Sequence, residues 1–422
     1  MSKGVITTQS SCADDYDPGS LTCDEALRRL LAAVSPVDGI DHVTLRNSLG
    51  RVLAEDVVSN VNVPAYANSA MDGYAVRSGD LPVQDTVRLR IAGSSYAGKP
   101  CSATVQPGEC VRITTGAILP QGADSVVIQE HVERLGDKIR VGGGHKAGDN
   151  VRAAGEDIAV GQTVLKTGRR LTPADLGLLA SLGIGTVPVR RRLKVAFLST
   201  GDELKPVGEQ LAPGEIHDSN RHTLHAMLTR LGVEVADFGI VRDDRAATRA
   251  AFKGAARGRD AVISSGGVSV GEADFVKEIL NEQGKMNFWK VAMKPGRPLT
   301  FGQLGDAVFF GLPGNPVSVM VTFYQFVQPA LRKMMGEAPH APLLLKAVTR
   351  SRLKKKPGRV EFQRAMLECD ENGRLSVSTT GMQGSGILTS MSQANCFIIL
   401  PMDSGNIEAG ALVDVQPFDG LI

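Results

Sequence analysis

The chain has little charge imbalance, few aromatic residues and no long apolar run, and each scarcity excludes a class of function. Lys and Arg number 47 and Asp and Glu 45, for a formal charge of +2. A near-balanced chain lacks the electrostatic footprint of a general nucleic-acid or membrane-surface binder. Aromatic residues make up 5 % of the chain, too few for a platform that stacks single-stranded bases. The six cysteines are scattered over 422 residues, without a C-x-x-C pair or a His/Cys cluster of zinc spacing. That sets aside a disulfide scaffold and a structural zinc site. The first twenty residues hold no apolar stretch of the secretory kind, and no run approaches the roughly 18 apolar residues of a membrane helix. The cytoplasm is therefore the expected compartment. Walker A, G-x-G-x-x-G and G-x-S-x-G sequences do not occur, so P-loop, dinucleotide and serine-hydrolase readings lose their usual warrant.

Glycine is the residue in excess. There are 47, above the roughly 7 % of average proteins, which predicts many tight turns and at least one place where backbone approaches a ligand closely. A helix is predicted after Thr22, with a Thr22/Glu25 capping box and an apolar stripe at Leu27, Leu30, Leu31 and Val34. Between residues 61 and 154, short β-branched pieces alternate with Gly/Pro/Asp turns, as in a small β domain. Helical signals return at Thr172-Pro173. The flanks, 20–60 and 155–190, read as one discontinuous linking domain into which the β domain is inserted. Residues 191–336 alternate strands and helices, the pattern of βαβ units in a doubly wound, mostly parallel sheet. A single long helix is expected over 316–335. Residues 337–422 read as a C-terminal β domain, so the fold class is α/β plus β. The basic cluster Lys354–Lys356 with Arg350, Arg352 and Arg359 reads either as an edge of the site or as a solvated turn, with the turn favoured.

Ligands of a doubly wound sheet bind beyond the carboxyl ends of its strands, so the residues just past each strand carry the information. The first strand leads into Ser199-Thr200-Gly201-Asp202-Glu203, the second into Arg242-Asp243-Asp244. The third leads into a glycine loop holding Gly266, Gly267, Ser269 and, further on, Asp274. The fourth brings Lys290 and Lys294, then Arg297-Pro298. The last leads into Pro313-Gly314-Asn315-Pro316. Glycines and hydroxyls ahead of a helix offer backbone amides to an anion, and the helix start adds partial positive charge. Lys290, Lys294 and Arg297 add full charges for phosphate or another oxyanion. The carboxylates would repel such a ligand unless a cation mediates, and oxygen donors of this density suit Mg²⁺. Alone, each piece is as well explained by a cap, a turn or a surface charge; their convergence on one edge predicts a phosphorylated or nucleotide-like ligand with Mg²⁺.

Seven stretches in order, Ser69–Val76, Arg112–Ala117, Gly155–Ile158, Ser199–Leu204, Ser264–Asp274, Met293–Pro298 and Gly311–Ser318, resemble the molybdopterin molybdenumtransferase family, the MoeA type that also forms the E domain of gephyrin. The resemblance covers about residues 20–420. It implies an enzyme that takes adenylylated molybdopterin and molybdate, inserts the metal at the dithiolene sulfurs and releases AMP with help from Mg²⁺. It implies a four-domain homodimer in which the inserted β domain of one protomer reaches the sheet-edge site of the other, bringing Asp72 and Thr115 to that site. Carried over by motif, Glu203, Asp243 or Asp244, and Asp274 would organise Mg²⁺ and the pterin phosphate, with Asp157 in the matching Gly-Glu-Asp-Ile stretch. Lys290 and Lys294 would neutralise phosphate and molybdate. Arg364 and Ser385 match positions on the oxyanion side. Neighbouring enzymes of the pathway are the expected protein partners; nucleic acid and membrane are not. The rival within enzymes is the adenylyl transfer that makes the substrate, but the loop Gly266-Gly267-Val268-Ser269 departs from the Gly-Gly-Thr-Gly expected there. A receptor-anchoring scaffold, the other role of gephyrin, ranks lower because the charged site residues are present.

Overall fold

The computed structural model describes residues 19–266 and 274–418, apart from the side chains of residues 274–277 and 288. The described chain forms two compact units, one from residues up to 41, 50–52 and from 189 onward, the other from 42–49 and 53–188.

The first unit holds the α/β sheet. Strand β1 (Lys194–Thr200) and strand β3 (Ala261–Ser265) are buried almost throughout, as expected of central strands covered on both faces. With β2 (Glu234–Val241), β4 (Gly284–Lys290), β6 (Pro298–Leu304) and β7 (Ala307–Leu312) they make a six-stranded sheet in the order β2-β1-β3-β7-β6-β4. The first four are parallel; β6 and β4 run antiparallel to their neighbours. Two reversals bring β4 back to the direction of the parallel set. Its end, Lys290, and the start of β6, Pro298, face each other across the ladder at the same edge as the carboxyl ends of β1, β2, β3 and β7.

Successive β1 residues alternate between two cores. Val195 and Phe197 join one cluster with Leu224, Met227 and Leu228 of helix α2 (Ser219–Leu231). Ala196 and Leu198 join the other with Phe252 of α3 (Arg245–Ala256) and Leu280 of α4 (Asp274–Gln283). Helices thus cover both faces. Helix α1 (Cys23–Ala33) also packs into the first core through Ala26, Leu30 and Val34, rather than into the linking segment to which sequence order assigned it. Its stripe finds an apolar partner in the helix after β7, whose Lys333 Nζ caps the Leu31 carbonyl at 2.7 Å. Thr22 accepts from the Glu25 amide, but the Glu25 carboxylate engages Arg28 and Arg29 instead of returning to the cap.

The expected long helix is interrupted. It runs as α5 (Pro316–Thr322), a π-helical turn (Phe323–Val327) and α6 (Gln328–Met334). Pro329 lacks an amide hydrogen and its ring crowds the preceding turn, so the hydrogen-bond ladder widens just before it. The fourth strand, expected to bring both Lys290 and Lys294 to the edge, is also divided. β4 ends at Lys290, and Met293–Lys294 forms a separate strand, β5, which pairs in parallel with a strand of the C-terminal domain. That domain is a closed barrel: β8 (Leu345–Thr349), β9 (Val360–Cys369), β10 (Leu375–Thr379), β11 (Cys396–Leu400) and β12 (Leu412–Pro417) run in the circular order β9-β10-β8-β12-β11, with β11 pairing back onto β9. Closure removes the exposed edges. Lys355 is not in a solvated turn. It is 5 % exposed, its ammonium ringed by the carbonyls of Lys356, Met402 and Ser404 at 3.1, 3.4 and 3.2 Å.

The second unit is built on a six-stranded sheet in the order Ser125–Ile128, Gly73–Val76, Glu109–Ile113, Thr86–Ser95, Lys138–Gly142, Val132–Leu135. Tyr74 and Val76 point into one core and Ala75 into another. In the same unit the helix Pro173–Ser181 starts with a true capping box, Thr172 and Asp175 bonding each other's backbone amides. Among the described residues no helix is long and apolar enough to cross a membrane.

Candidate active site

The carboxyl edge of the α/β sheet is in register. Ser199 stands opposite Ser265 and Thr200 opposite Val241; Ser264 stands opposite Gly311 and Ser265 opposite Leu312. The loops leaving these strands are therefore neighbours. Gly266, at φ +86°, lies so close to β1 that a Cβ there would sit 2.5 Å from the Thr200 carbonyl oxygen. Gly201, at φ +147°, lies beneath the Glu203 carboxylate, whose Oε2 would be 2.5 Å from a Cβ. Only a residue without a side chain fits either contact without displacement. The Asp243 amide donates to Asp202 Oδ1 at 3.1 Å, joining the loops after β1 and β2.

A residue that sequence reasoning missed ties this edge together. Asn220, at the start of α2, donates through Nδ2 to Ser265 Oγ at 2.8 Å and to the Gly314 carbonyl at 2.6 Å. The Asp218-Ser219-Asn220 stretch reads in sequence only as a helix start. Asp218 does cap α2, through the Arg221 amide at 3.0 Å. Yet, among the described residues, Asp218 Oδ2, Asn220 Oδ1 and the hydroxyls of Ser199, Thr200 and Ser264 are buried without a hydrogen-bond partner. An orphaned buried polar atom costs about 1–3 kcal/mol, and five near one sheet edge mark a place where a ligand, ion or water would be held.

The cations and carboxylates divide in use. Lys290 and Arg297 flank the edge, half-buried; their carbonyls fix the chain by accepting the amides of Leu21 and Val291, each at 2.8 Å. Pro298 opens β6 beside them. The exposed Lys294 donates to Glu361 Oε1 of the barrel at 3.2 Å. Asp244 caps α3, its side chain accepting the Ala247 amide at 2.7 Å. Asp202, Glu203 and Asp243 remain on the exposed loops. Gly267 and Ser269 lie outside the described residues, as does the side chain of Asp274, whose backbone begins α4. Among the described residues no three His, Cys, Asp or Glu side chains converge as a ready metal cage. The available donors are carboxylate oxygens, the chemistry of a Mg²⁺ held by a few carboxylates together with ligand phosphates.

Pro313-Gly314-Asn315 leads from β7 into α5, where Pro316 takes the first helical position and the Asn315 side chain makes no cap. The Val317 amide at that helix start donates to the Ser385 carbonyl at 3.1 Å, so the barrel loop carrying Ser385 arrives at the sheet edge. Beside it Arg364, 1 % exposed, donates through Nε to Ser390 Oγ and through Nη2 to the Gly384 carbonyl, each at 3.0 Å. Burial pushes the Arg364 guanidinium down to about 10, opposed by the field of Glu361.

In the second unit, Asp72 Oδ1 accepts the Thr115 amide at 2.7 Å and its hydroxyl at 2.8 Å. These hydrogen bonds hold the Asp72 carboxyl below the usual range, the amide foremost. Asp157 is exposed in a turn, its amide bonded to the Val63 carbonyl at 3.0 Å.

A doubly wound sheet with a polar carboxyl edge, paired through β5 to a closed barrel, defines a ligand-binding α/β enzyme. Three family models match along the chain: MoeA N-terminal region (domain I and II) over residues 21–183, probable molybdopterin binding domain over 196–333, and MoeA C-terminal region (domain IV) over 346–418. The chain is 45 % identical over 404 residues to the molybdopterin molybdenumtransferase of Haemophilus influenzae, covering 95 % of this chain and 100 % of that one. It is 35 % identical over 401 residues to that of Bacillus subtilis, covering 93 % of each. The crystal structure of a molybdopterin biosynthesis MoeA protein from Pyrococcus horikoshii OT3 superposes with a TM-score of 0.81 at 31 % identity, over 94 % of this chain and 100 % of that one. The chain belongs to the molybdopterin molybdenumtransferase family, transferases of molybdenum cofactor biosynthesis.

Proposed function

We propose that the sheet edge binds adenylylated molybdopterin together with molybdate, that the metal is inserted at the dithiolene sulfurs, and that AMP is released. What supports this reading is the in-register edge carrying five orphaned buried polar atoms, flanked by the half-buried Lys290 and Arg297 and the loops with Asp202, Glu203 and Asp243, with Lys294 carried on β5 toward the barrel. Buried hydroxyl, amide and carboxylate groups without partners suit the polar edge of a heterocycle. Lys and Arg side chains suit phosphate and a tetrahedral dianion such as molybdate. Arg364 and the Ser385 loop extend the oxyanion side.

Mg²⁺, when bound, supplies neutralisation of the phosphate charge; Glu203 and Asp243 would hold it, with Asp202 beside them. The chain's own residues act by positioning and charge. Lys290 and Arg297 orient the phosphates, and Lys294 and Arg364 hold molybdate where the sulfurs reach it. The backbone at Gly201 and Gly266 lets the ligand approach. The assembly we propose is a cytoplasmic homodimer in which Asp72 and Thr115 of one protomer serve the site of the other, in keeping with the family resemblance.

The test is AMP release from adenylylated molybdopterin with and without molybdate and Mg²⁺, read beside the active cofactor formed. Release that depends on both, with cofactor appearing in step, supports the reading. Molybdate-independent release with no active cofactor overturns it.

A further inference from the structure

Glu361 is a buried carboxylate, its side chain 7 % exposed, in contact with a cation that is half in solvent. β5 and β9 pair in parallel with Lys294 directly opposite Glu361, and Lys294 Nζ donates to Glu361 Oε1 at 3.2 Å. The second oxygen, Oε2, accepts from Gln363 Nε2 at 3.1 Å. Gln363 is itself anchored by donating to the Lys354 carbonyl at 3.1 Å. Both carboxylate oxygens are thus engaged from defined directions. Burial pushes the Lys355 ammonium down, with Glu361 and Asp403 opposing that shift and Lys294 and Arg359 adding to it. One carboxylate therefore faces Lys294 directly and lies within the field of Lys355 and Arg364.

We propose that Glu361 is a positioning residue for molybdate capture, holding the Lys294 ammonium in one place at the sheet edge while leaving its other donors for the oxyanion. The inference rests on the proposed role of Lys294 as an oxyanion ligand. A lysine is a point charge on a flexible stem, and fixing it beforehand removes an ordering cost from binding. Glu361 acts through Lys294 and does not touch the substrate.

The experiment measures AMP release by the full chain, with molybdate and adenylylated molybdopterin varied separately, for wild type, E361Q, E361D and K294M. Gln keeps the shape and removes the charge; Asp keeps the charge and shortens the reach. The expected result is that E361Q and E361D each raise KM for molybdate about tenfold. kcat and KM for the pterin substrate stay within about twofold of wild type. A lower melting temperature with wild-type KM for molybdate in E361Q would show a merely structural role and overturn the proposal. Should E361Q not fold, a wild-type KM in E361D overturns it equally. Impaired K294M beside unimpaired E361Q and E361D would sink this inference alone. An unimpaired K294M would remove the reading of Lys294 on which it stands.

Discussion

Asn220 joins the ends of two strands of the sheet, donating from one amide nitrogen to Ser265, the last residue of β3, and to Gly314 in the loop after β7. The Ser265 hydroxyl is buried, whereas Gly314 is exposed and its carbonyl can turn to water. Asn220→Ala should therefore cost about 1 kcal/mol, mostly at Ser265. Asn220→Asp is expected to be worse at neutral pH, because it sets a carboxylate oxygen against the Gly314 carbonyl, which cannot donate in return. Urea denaturation of the two variants checks the order. Equal stability would mean that the loops hold each other without the asparagine.

The two close glycines should respond differently to the same change. At Gly266 a Cβ would meet the Thr200 backbone at a left-handed φ, so Gly266→Ala must shift main chain and should cost about 2–3 kcal/mol. At Gly201 the φ of +147° strains an alanine as well, but the atom its Cβ meets is the end of the Glu203 side chain, which can swing aside. Gly201→Ala should therefore cost a comparable amount, about 2 kcal/mol, and should differ in showing a raised Mg²⁺ requirement for AMP release. A Mg²⁺ titration and a denaturation curve for each variant separate the two effects. The same Mg²⁺ response in both would show that Glu203 is not what Gly201 makes room for.

The Asp72 carboxyl titrates below its ordinary value because the Thr115 amide, then the Thr115 hydroxyl, favour its charged form. A depressed carboxyl stabilises the fold above its unfolded value, and that contribution fades as pH falls through the folded value. Thr115→Val removes the hydroxyl and keeps the amide, so Asp72 should titrate higher, though still below a free aspartate. Carbon-13 NMR of the carboxyl measures this directly. Since both residues are exposed, Asp72→Ala should lower cofactor formation at least tenfold with the melting temperature nearly unchanged.

The features legible in the sequence are those that local chemistry decides. Asp218 caps α2 and Asp244 caps α3 because a short acidic side chain reaches amides three residues on. The apolar runs Val195–Leu198 and Ala261–Ile263 mark the buried middles of β1 and β3, and the rule that ligands sit beyond strand ends pointed to the candidate edge. The features that were not legible depend on distant partners. The exit of β5 to the barrel is set by pairing with residues 67 positions away. Asn220 looks like any helix-start asparagine until Ser265, 45 residues on, and Gly314, 94 residues on, are beside it. Thr22/Glu25 and Thr172/Asp175 begin alike, yet only Asp175 closes the box, since Arg28 and Arg29 take the Glu25 carboxylate.

Arg364 separates stability from function most cleanly. A guanidinium this buried pays a desolvation penalty that the neutral Ser390 hydroxyl and Gly384 carbonyl only partly offset, and burial pushes its pKa down to about 10. Removing a charge that the fold tolerates poorly should not unfold the barrel. Arg364→Met fills similar volume without the charge, and the lost penalty sets off the two hydrogen bonds it forgoes. Its stability should fall within about 2 kcal/mol of wild type, while affinity for molybdate drops at least tenfold. Calorimetric titration with molybdate beside a thermal melt tests both halves. A barrel that unfolds, with no loss of anion affinity in the fraction that remains native, would make Arg364 a structural residue whose charge the site does not use.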